Sequence, residues 1–360
     1  MKDMLHHAYD NGYAVGAFDL VSLDFLEGII SATERCRAPV ILSLAESHFN
    51  YFDFELIMPA VEAAAQRATV PVAIHLDHGA SLDSAVRAIN PGCNGNMVDT
   101  SHAPMSENIR CTRAVVNMTH ACGVPVEGEL GYVPGVEAED AERHPGEITY
   151  MTVAEARSHM EQTGVDFLAV SIGTMHGRMT DKPKLDFQRL KQINENIRTG
   201  KSRGFTGLVK NIRTAVATEV ERCIRLWGGA GRANEVLSRC RPWMSVEHLI
   251  IYNVEGIDKT GAETMIAEGR QVLSTIPGVR EVFTGEAVQD AAKYRDTWLV
   301  RFCHPAVIDS YREHPGHVTF ADKRSRPPAS ERISIDYQMI DPVVRGSGYV
   351  EHSINMKVMS

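Results

Sequence analysis

Along the first half of the chain, short runs of consecutive apolar residues alternate with longer stretches whose apolar positions recur every three or four residues. Residues 13–18, 39–44, 70–76, 96–99, 124–130 and 167–172 have the first texture; 23–33, 54–67, 81–89, 108–122, 152–163 and 186–193 have the second. Runs that are apolar on both sides of the pleat read as strands of a sheet covered on both faces, and the wider spacing reads as amphipathic helix. Strict alternation of the two predicts a parallel sheet with right-handed crossovers. Thr152 with Glu155 three residues later forms a capping box for the helix over 152–163. The polar stretch 131–150, rich in Glu, Asp, Gly and Pro, predicts a loop.

The pattern then changes twice. A basic segment, 198–204, leads into a long helix over 207–226 with Val209, Ile212, Val216, Val220, Cys223 and Ile224 on one stripe. Gly228-Gly229-Ala230-Gly231 interrupts it, and a helix over 234–240 ends before Pro242. From residue 246 the order becomes strand (248–254), amphipathic helix (262–276), strands (279–283 and 297–302), helix (305–311) and strand (332–337). That βαββαβ order predicts a small α+β, ferredoxin-like module. The expected division is a β/α-barrel unit over 1–200, a helical linker over 201–244, the ferredoxin-like domain over 245–340 and an extended or mobile tail over 341–360.

Composition narrows the partners. With 360 residues, 44% of them hydrophobic, the chain can bury a large core and more than one domain. A net charge of -9 argues against nucleic acid or an anionic membrane as partner, and leaves room for a local basic pocket. Seven cysteines, without CxxC spacing, read as reduced thiols. No apolar run reaches membrane-spanning length, and residues 1–7 lack the apolar core of a signal peptide. The expectation is a soluble, cytoplasmic protein with no membrane partner.

The candidate chemistry lies at strand ends. His75-Leu76-Asp77-His78-Gly79 ends one apolar run and Gly173-Thr174-Met175-His176-Gly177 another; Asp99-Thr100-Ser101-His102 and Glu127-Gly128-Glu129 end the two between them. Four successive strands thus finish in titratable groups, at the end where α/β barrels keep their chemistry. A catalytic zinc site normally uses three protein ligands and one open position. His78 and His176 supply two, and no third imidazole is evident.

These motifs, together with Glu107-Asn108-Ile109, Val126-Glu127-Gly128-Glu129-Leu130-Gly131 and Gly135-Val136-Glu137, resemble class II (zinc-dependent) ketose-bisphosphate aldolases, the group containing fructose- and tagatose-bisphosphate aldolases. The resemblance runs from about Tyr13 to Leu190. It implies a TIM (β/α)8-type barrel with His78 and His176 as zinc ligands. Asp99 and Glu129 would hold a second divalent metal, or the zinc in an alternate place. Asp77 would exchange the proton of the aldehyde-side hydroxyl, and Glu137 would be the mobile acid/base at the enediolate carbon. Gly177 would contact the dihydroxyacetone phosphate end, with Lys184 near the same phosphate. The implied reaction is metal-dependent aldol cleavage or condensation of a ketose (bis)phosphate, giving dihydroxyacetone phosphate and an aldehyde.

The resemblance then breaks off. The family's seventh strand ends in a His-Gly-Gly-Ser-Gly-like motif; here Leu226-Trp227-Gly228-Gly229-Ala230-Gly231 imitates it with Trp227 in place of the His. Lys210-Asn211-Ile212-Arg213-Thr214 imitates the eighth-strand motif but comes first, within helical periodicity. The expectation is an incomplete barrel, with strands seven and eight missing or diverged, and with the 207–226 helix in the place of the one after strand eight. Asp19 stands where the family usually has Asn, and Ala45 where a phosphate-binding Ser is common. An alternative expectation follows: a non-catalytic or impaired relic whose C-terminal domain mediates homodimerisation.

That C-terminal part resembles the stress-responsive dimeric α/β-barrel (Dabb) domain, through Glu247-His248-Leu249-Ile250-Ile251-Tyr252, Ile276-Pro277-Gly278-Val279 and Tyr311-Arg312-Glu313-His314-Pro315-Gly316-His317. Such domains pair their sheets across a two-fold axis, which implies a homodimer or higher homo-oligomer. His314 and His317 read as side chains packed under the sheet more readily than as catalytic groups.

Overall fold

The computed structural model describes residues 1–50, 52–131, 133, 150–173, 185–197, 213–237, 246–289, 291–329 and 331–338. Glu137, His176, Gly177 and Lys184 lie outside the described residues.

The first unit is a six-stranded parallel sheet in sequence order: β1 (Gly16–Asp19), β2 (Val40–Ala45), β3 (Val72–Gly79), β4 (Gly95–Val98), β5 (Val126–Leu130) and β6 (Phe167–Val170). Between the strands run α2 (Leu23–Cys36), α3 (Phe54–Arg67), α4 (Leu82–Ile89), α5 (Met105–Ala121) and α6 (Val153–Thr163), with α7 (Phe187–Ile197) after β6. The capping box of Thr152 and Glu155 forms as the sequence predicts. Among the described residues no seventh or eighth strand joins the sheet. The architecture is therefore an open half-barrel, the incomplete form that the missing motifs predict.

The edge beside β1 is covered. α8 (Arg213–Leu226) lies along α2, and its Val220 and Ile224 share a core with Leu26, Ile29, Ala32 and Cys36. Trp227 then stacks on Phe18 of β1, and its carbonyl accepts from Ala14 N at 3.0 Å. Trp227 is thus a packing residue, and the glycines after it make the turn: Gly228 and Gly231 sit at φ +74° and +80°. Near the amino-terminal ends of the strands, α1 (Lys2–Asp10) and α9 (Ala233–Leu237) pack on Ile41, Ala73 and Phe167 through Met4, Leu5, Ala8 and Val236.

Asp166, just before β6, fastens α1 and α5 at that end. It accepts from Lys2 Nζ at 2.5 Å, His120 Nε2 at 2.8 Å and Val126 N at 2.9 Å. Burial alone would raise its pKa, but these donors together bring it from 3.8 down to about 2. A carboxyl depressed on folding stabilises the protein above its unfolded pKa and loses that stabilisation as pH falls through the folded one, here at most about 2 kcal/mol. Denaturant unfolding from about pH 5 down to 2 should show Asp166→Asn losing less stability on acidification than the parent protein; parallel acid limbs would contradict this assignment.

The second unit is a four-stranded antiparallel sheet in the order β10-β7-β9-β8. Its strands are β7 (Val246–Tyr252), β8 (Val279–Glu286), β9 (Asp296–Phe302) and β10 (Arg332–Gln338). One face is covered by α10 (Lys259–Leu273), α11 (Val307–Glu313) and α12 (Pro315–Phe320). The short α12 is not signalled by periodicity. Pro315 starts it, and the side chain of His314 caps it by accepting from Gly316 N.

The two units share a core. Ile89, Cys122 and Val124 join Ile276, Val279, Phe302 and Val307 in one apolar cluster. Asn90 Oδ1 accepts from Gly278 N at 2.8 Å, Asn90 Nδ2 donates to Ser274 O, and both guanidinium nitrogens of Arg280 bond the Glu62 carboxylate. Apart from Glu62 on α3, the first unit's residues in this seam lie where helices return to the strands. The second unit therefore sits at the end opposite the strand termini that carry the candidate chemistry. Among the described residues no helix is long and apolar enough to cross a membrane.

Candidate metal centre

β3, β4 and β5 bring together three side chains from the predicted set. The ladder between β3 and β4 shifts register between Leu76 and Gly79, and His78 adopts φ +49°, rare for a residue with a side chain. Together these turn the His78 ring toward Asp99, which follows β4. Gly79 makes the close approach possible, since a Cβ there would stand 2.7 Å from the carbonyl oxygen of Met97.

His78 Nδ1 lies 2.8 Å from Asp99 Oδ2 and 3.5 Å from Glu129 Oε2. One donor atom from each of His78, Asp99 and Glu129 falls within 4.8 Å of the others. An ion about 2.1 Å from each of three donors sets them roughly 3 to 3.5 Å apart, so the set fits a divalent cation. Burial raises the pKa of Asp99, but the His78 hydrogen bond and charge, with the Ser101 side chain and N–H, hold it well below the usual carboxylate range. Glu129 moves the other way: burial, then the Asp99 charge beside it, pushes its carboxyl well above the usual value. Glu129 is 4% exposed, and its Oε2 accepts no hydrogen bond. A buried carboxylate oxygen without a donor, facing an imidazole and a second carboxylate, is what a cation would satisfy.

Asp77 stands beside the cluster, with Oδ1 4.0 Å from His78 Nε2. His102 is exposed and outside it. The structure also supplies a support that motif reading gives no role. Asn108 on α5 donates to the Glu129 carbonyl at 3.1 Å, and its own Oδ1 accepts from Thr112 and from His159 Nε2. Burial lowers the His159 pKa to about 4, which keeps that ring neutral. Only the burial of three polar helix positions signals this network, Asn108 and Thr112 on α5 and His159 on α6, and His159 is far from the other two in sequence.

Parallel strands whose carboxyl ends gather an imidazole and two carboxylates form a cluster consistent with a divalent-metal site on a scaffold of the β/α-barrel class. Comparison with known proteins sharpens this. Residues 1–210 match the family model described as "Fructose-bisphosphate aldolase class-II", and residues 246–339 match "Stress responsive A/B Barrel Domain". The "Probable fructose-bisphosphate aldolase" of Bacillus subtilis (strain 168) is 38% identical over 230 residues, covering 63% of this chain and 77% of that protein. The "Fructose-bisphosphate aldolase" of Staphylococcus aureus (strain Mu50) is 39% identical over 223 residues, covering 60% and 76%. Among solved structures, the YdjI aldolase from Escherichia coli K12 superposes with a TM-score of 0.54 at 25% identity, covering 65% of this chain and 98% of that one. The chain belongs to the class II fructose-bisphosphate aldolase family, with a Dabb domain appended.

Proposed function

We propose that this protein cleaves, and in reverse condenses, a ketose phosphate in a divalent-metal-dependent aldol reaction in the cytoplasm, with dihydroxyacetone phosphate and an aldehyde as products. The observation that carries the reading is the convergence of His78, Asp99 and Glu129 at the carboxyl ends of adjacent strands. These residues would hold the ion, zinc by family resemblance, with His176 as a further ligand. When bound, such an ion acts as a Lewis acid toward negative charge developing on substrate oxygen. Asp77, partly exposed beside His78, would accept the hydroxyl proton of the substrate. Glu137 would move the proton at carbon, and Gly177 and Lys184 would meet the phosphate.

The test is cleavage of fructose and tagatose bisphosphates by protein loaded in turn with zinc, cobalt and manganese. Turnover that chelation removes and metal restores supports the reading. Stoichiometric metal without turnover of either sugar rejects it. That result would favour an impaired relic, a reading that the open sheet supports.

The second unit would dimerise. On the sheet face away from its helices, Phe283, Leu299, Leu249 and Ile335 stand in one cross-strand row and Ile251 and Ile333 in the next. Phe283, Ile333 and Ile335 are 43%, 40% and 41% exposed. A second copy placing the same face against this one would remove that apolar surface from water. Sedimentation should find a dimer for the parent chain and a monomer for the Phe283→Asp/Ile335→Asp variant; a parent monomer at micromolar concentration overturns the proposal.

A further inference from the structure

We infer that His159, buried on α6 away from the strand ends, is a positioning residue for the metal centre: through Asn108 it fixes the carboxyl end of β5, and with it Glu129. The inference rests on the metal reading of that centre.

His159 is out of place by packing alone. The buried stripe of α6 is Ala156, His159, Met160 and Thr163, and the core around it is built from Val116, Val126, Val165 and Leu168. The ring lies against β5, where a Cβ at Gly128 would stand 3.0 Å from its Cε1. It is 0% exposed, and its Nδ1 has no hydrogen-bond partner. An apolar side chain would fill this place without leaving a buried polar atom unsatisfied, which is costly. A residue kept at such a cost points to work done by its other nitrogen.

That nitrogen faces Asn108. β4 pairs with β5 only as far as Val98 and Gly128, so the carbonyl of Glu129 lies one residue past that ladder. Asn108 Nδ2 donates to it at 3.1 Å, in place of a further strand bond. Nδ2 being committed there, Oδ1 accepts from His159 Nε2–H at 2.9 Å and from the Thr112 hydroxyl at 3.0 Å. A hydroxyl donates or accepts, so Thr112 alone would tolerate a flipped amide. The flip would turn Oδ1 against the Glu129 carbonyl and Nδ2 against the imidazole N–H. His159 therefore selects the orientation that holds Glu129 O, one residue that also supplies a carboxylate to the cluster with His78 and Asp99. Groups that orient metal ligands typically cost roughly 10- to 100-fold in metal affinity when they are removed.

The test is cobalt(II) binding to the full chain, followed by its visible absorption, with urea unfolding in chelator beside it. His159→Phe should weaken cobalt by about tenfold or more and shift the absorption, while the metal-free chain is as stable as the parent or more so. His159→Gln, whose amide can donate to Asn108 from a similar position, should restore the parent affinity and spectrum. Asn108→Leu should weaken cobalt at least as much, and adding His159→Phe to it should cost nothing further, because one residue acts through the other. Parent-like binding by His159→Phe, full additivity of the two substitutions, or a His159→Phe chain that is unfolded or less stable in chelator overturns the inference and makes His159 a packing residue. Failure of the metal reading looks different: the parent itself binds no cobalt, or Glu129→Gln binds it like the parent, and the inference then falls with it.

Discussion

Glu129→Gln is expected to lower affinity for a divalent ion by roughly 100-fold or more, while making the metal-free protein more stable. The two effects have one cause. Glu129 is buried, its Oε2 accepts no hydrogen bond, and burial and the neighbouring Asp99 both oppose its charge. A neutral amide of the same shape removes that unfavourable charge and should add about 1 kcal/mol of stability. It also removes an anionic donor from the cluster with His78 and Asp99. His78→Ala should show the same loss of metal without the stabilisation, since it leaves the two carboxylates facing each other. Equilibrium dialysis with metal analysis, and denaturant titration in chelator, separate the two readouts. If Glu129→Gln binds metal like the parent, the ion sits elsewhere; if it is less stable in chelator, Glu129 is a structural acid.

The second large effect is expected at the seam between the units. Arg280→Ala leaves the Glu62 carboxylate nearly buried without its bidentate partner, and side-chain exposures of only 16% and 11% limit solvation by water. Removing one member of such a pair costs about 3 kcal/mol or more. Replacing both, as Glu62→Leu/Arg280→Leu, should restore much of the loss, because no charge is then stranded. Urea unfolding of the two single variants and the double would show the coupling. Strict additivity would mean that the pair contributes nothing as a pair.

The sequence made some of this visible and hid the rest, for identifiable reasons. Helical periodicity is local, so α3 appears at the predicted bounds, Phe54–Arg67, and Thr152 caps α6 as its spacing demands. The start of β1 is not local. Ala14, predicted within the strand, bonds instead to the carbonyl of Trp227, more than two hundred residues away. The strand-end motifs made His78, Asp99 and Glu129 legible as candidates. Their convergence also needed the irregular β3–β4 ladder and the left-handed backbone at His78, which no spacing rule conveys. Glu62 and Arg280, or His248 and Asp336, have no sequence signature as pairs, because only the completed fold makes them neighbours. The absence of the family's last two strand motifs, by contrast, was readable directly, and the sheet has the open form it predicts.

The placement of the Dabb unit has an evolutionary corollary. It is rooted where helices return to strands, through Asn90 and Gly278, and on α3 through the Arg280–Glu62 pair, and the rim that gathers His78, Asp99 and Glu129 lies at the far end of the same strands. Substitutions at that rim would leave the joint untouched. A change on one side of the joint would need an answering change on the other, so covariation between the two units should concentrate at these few positions.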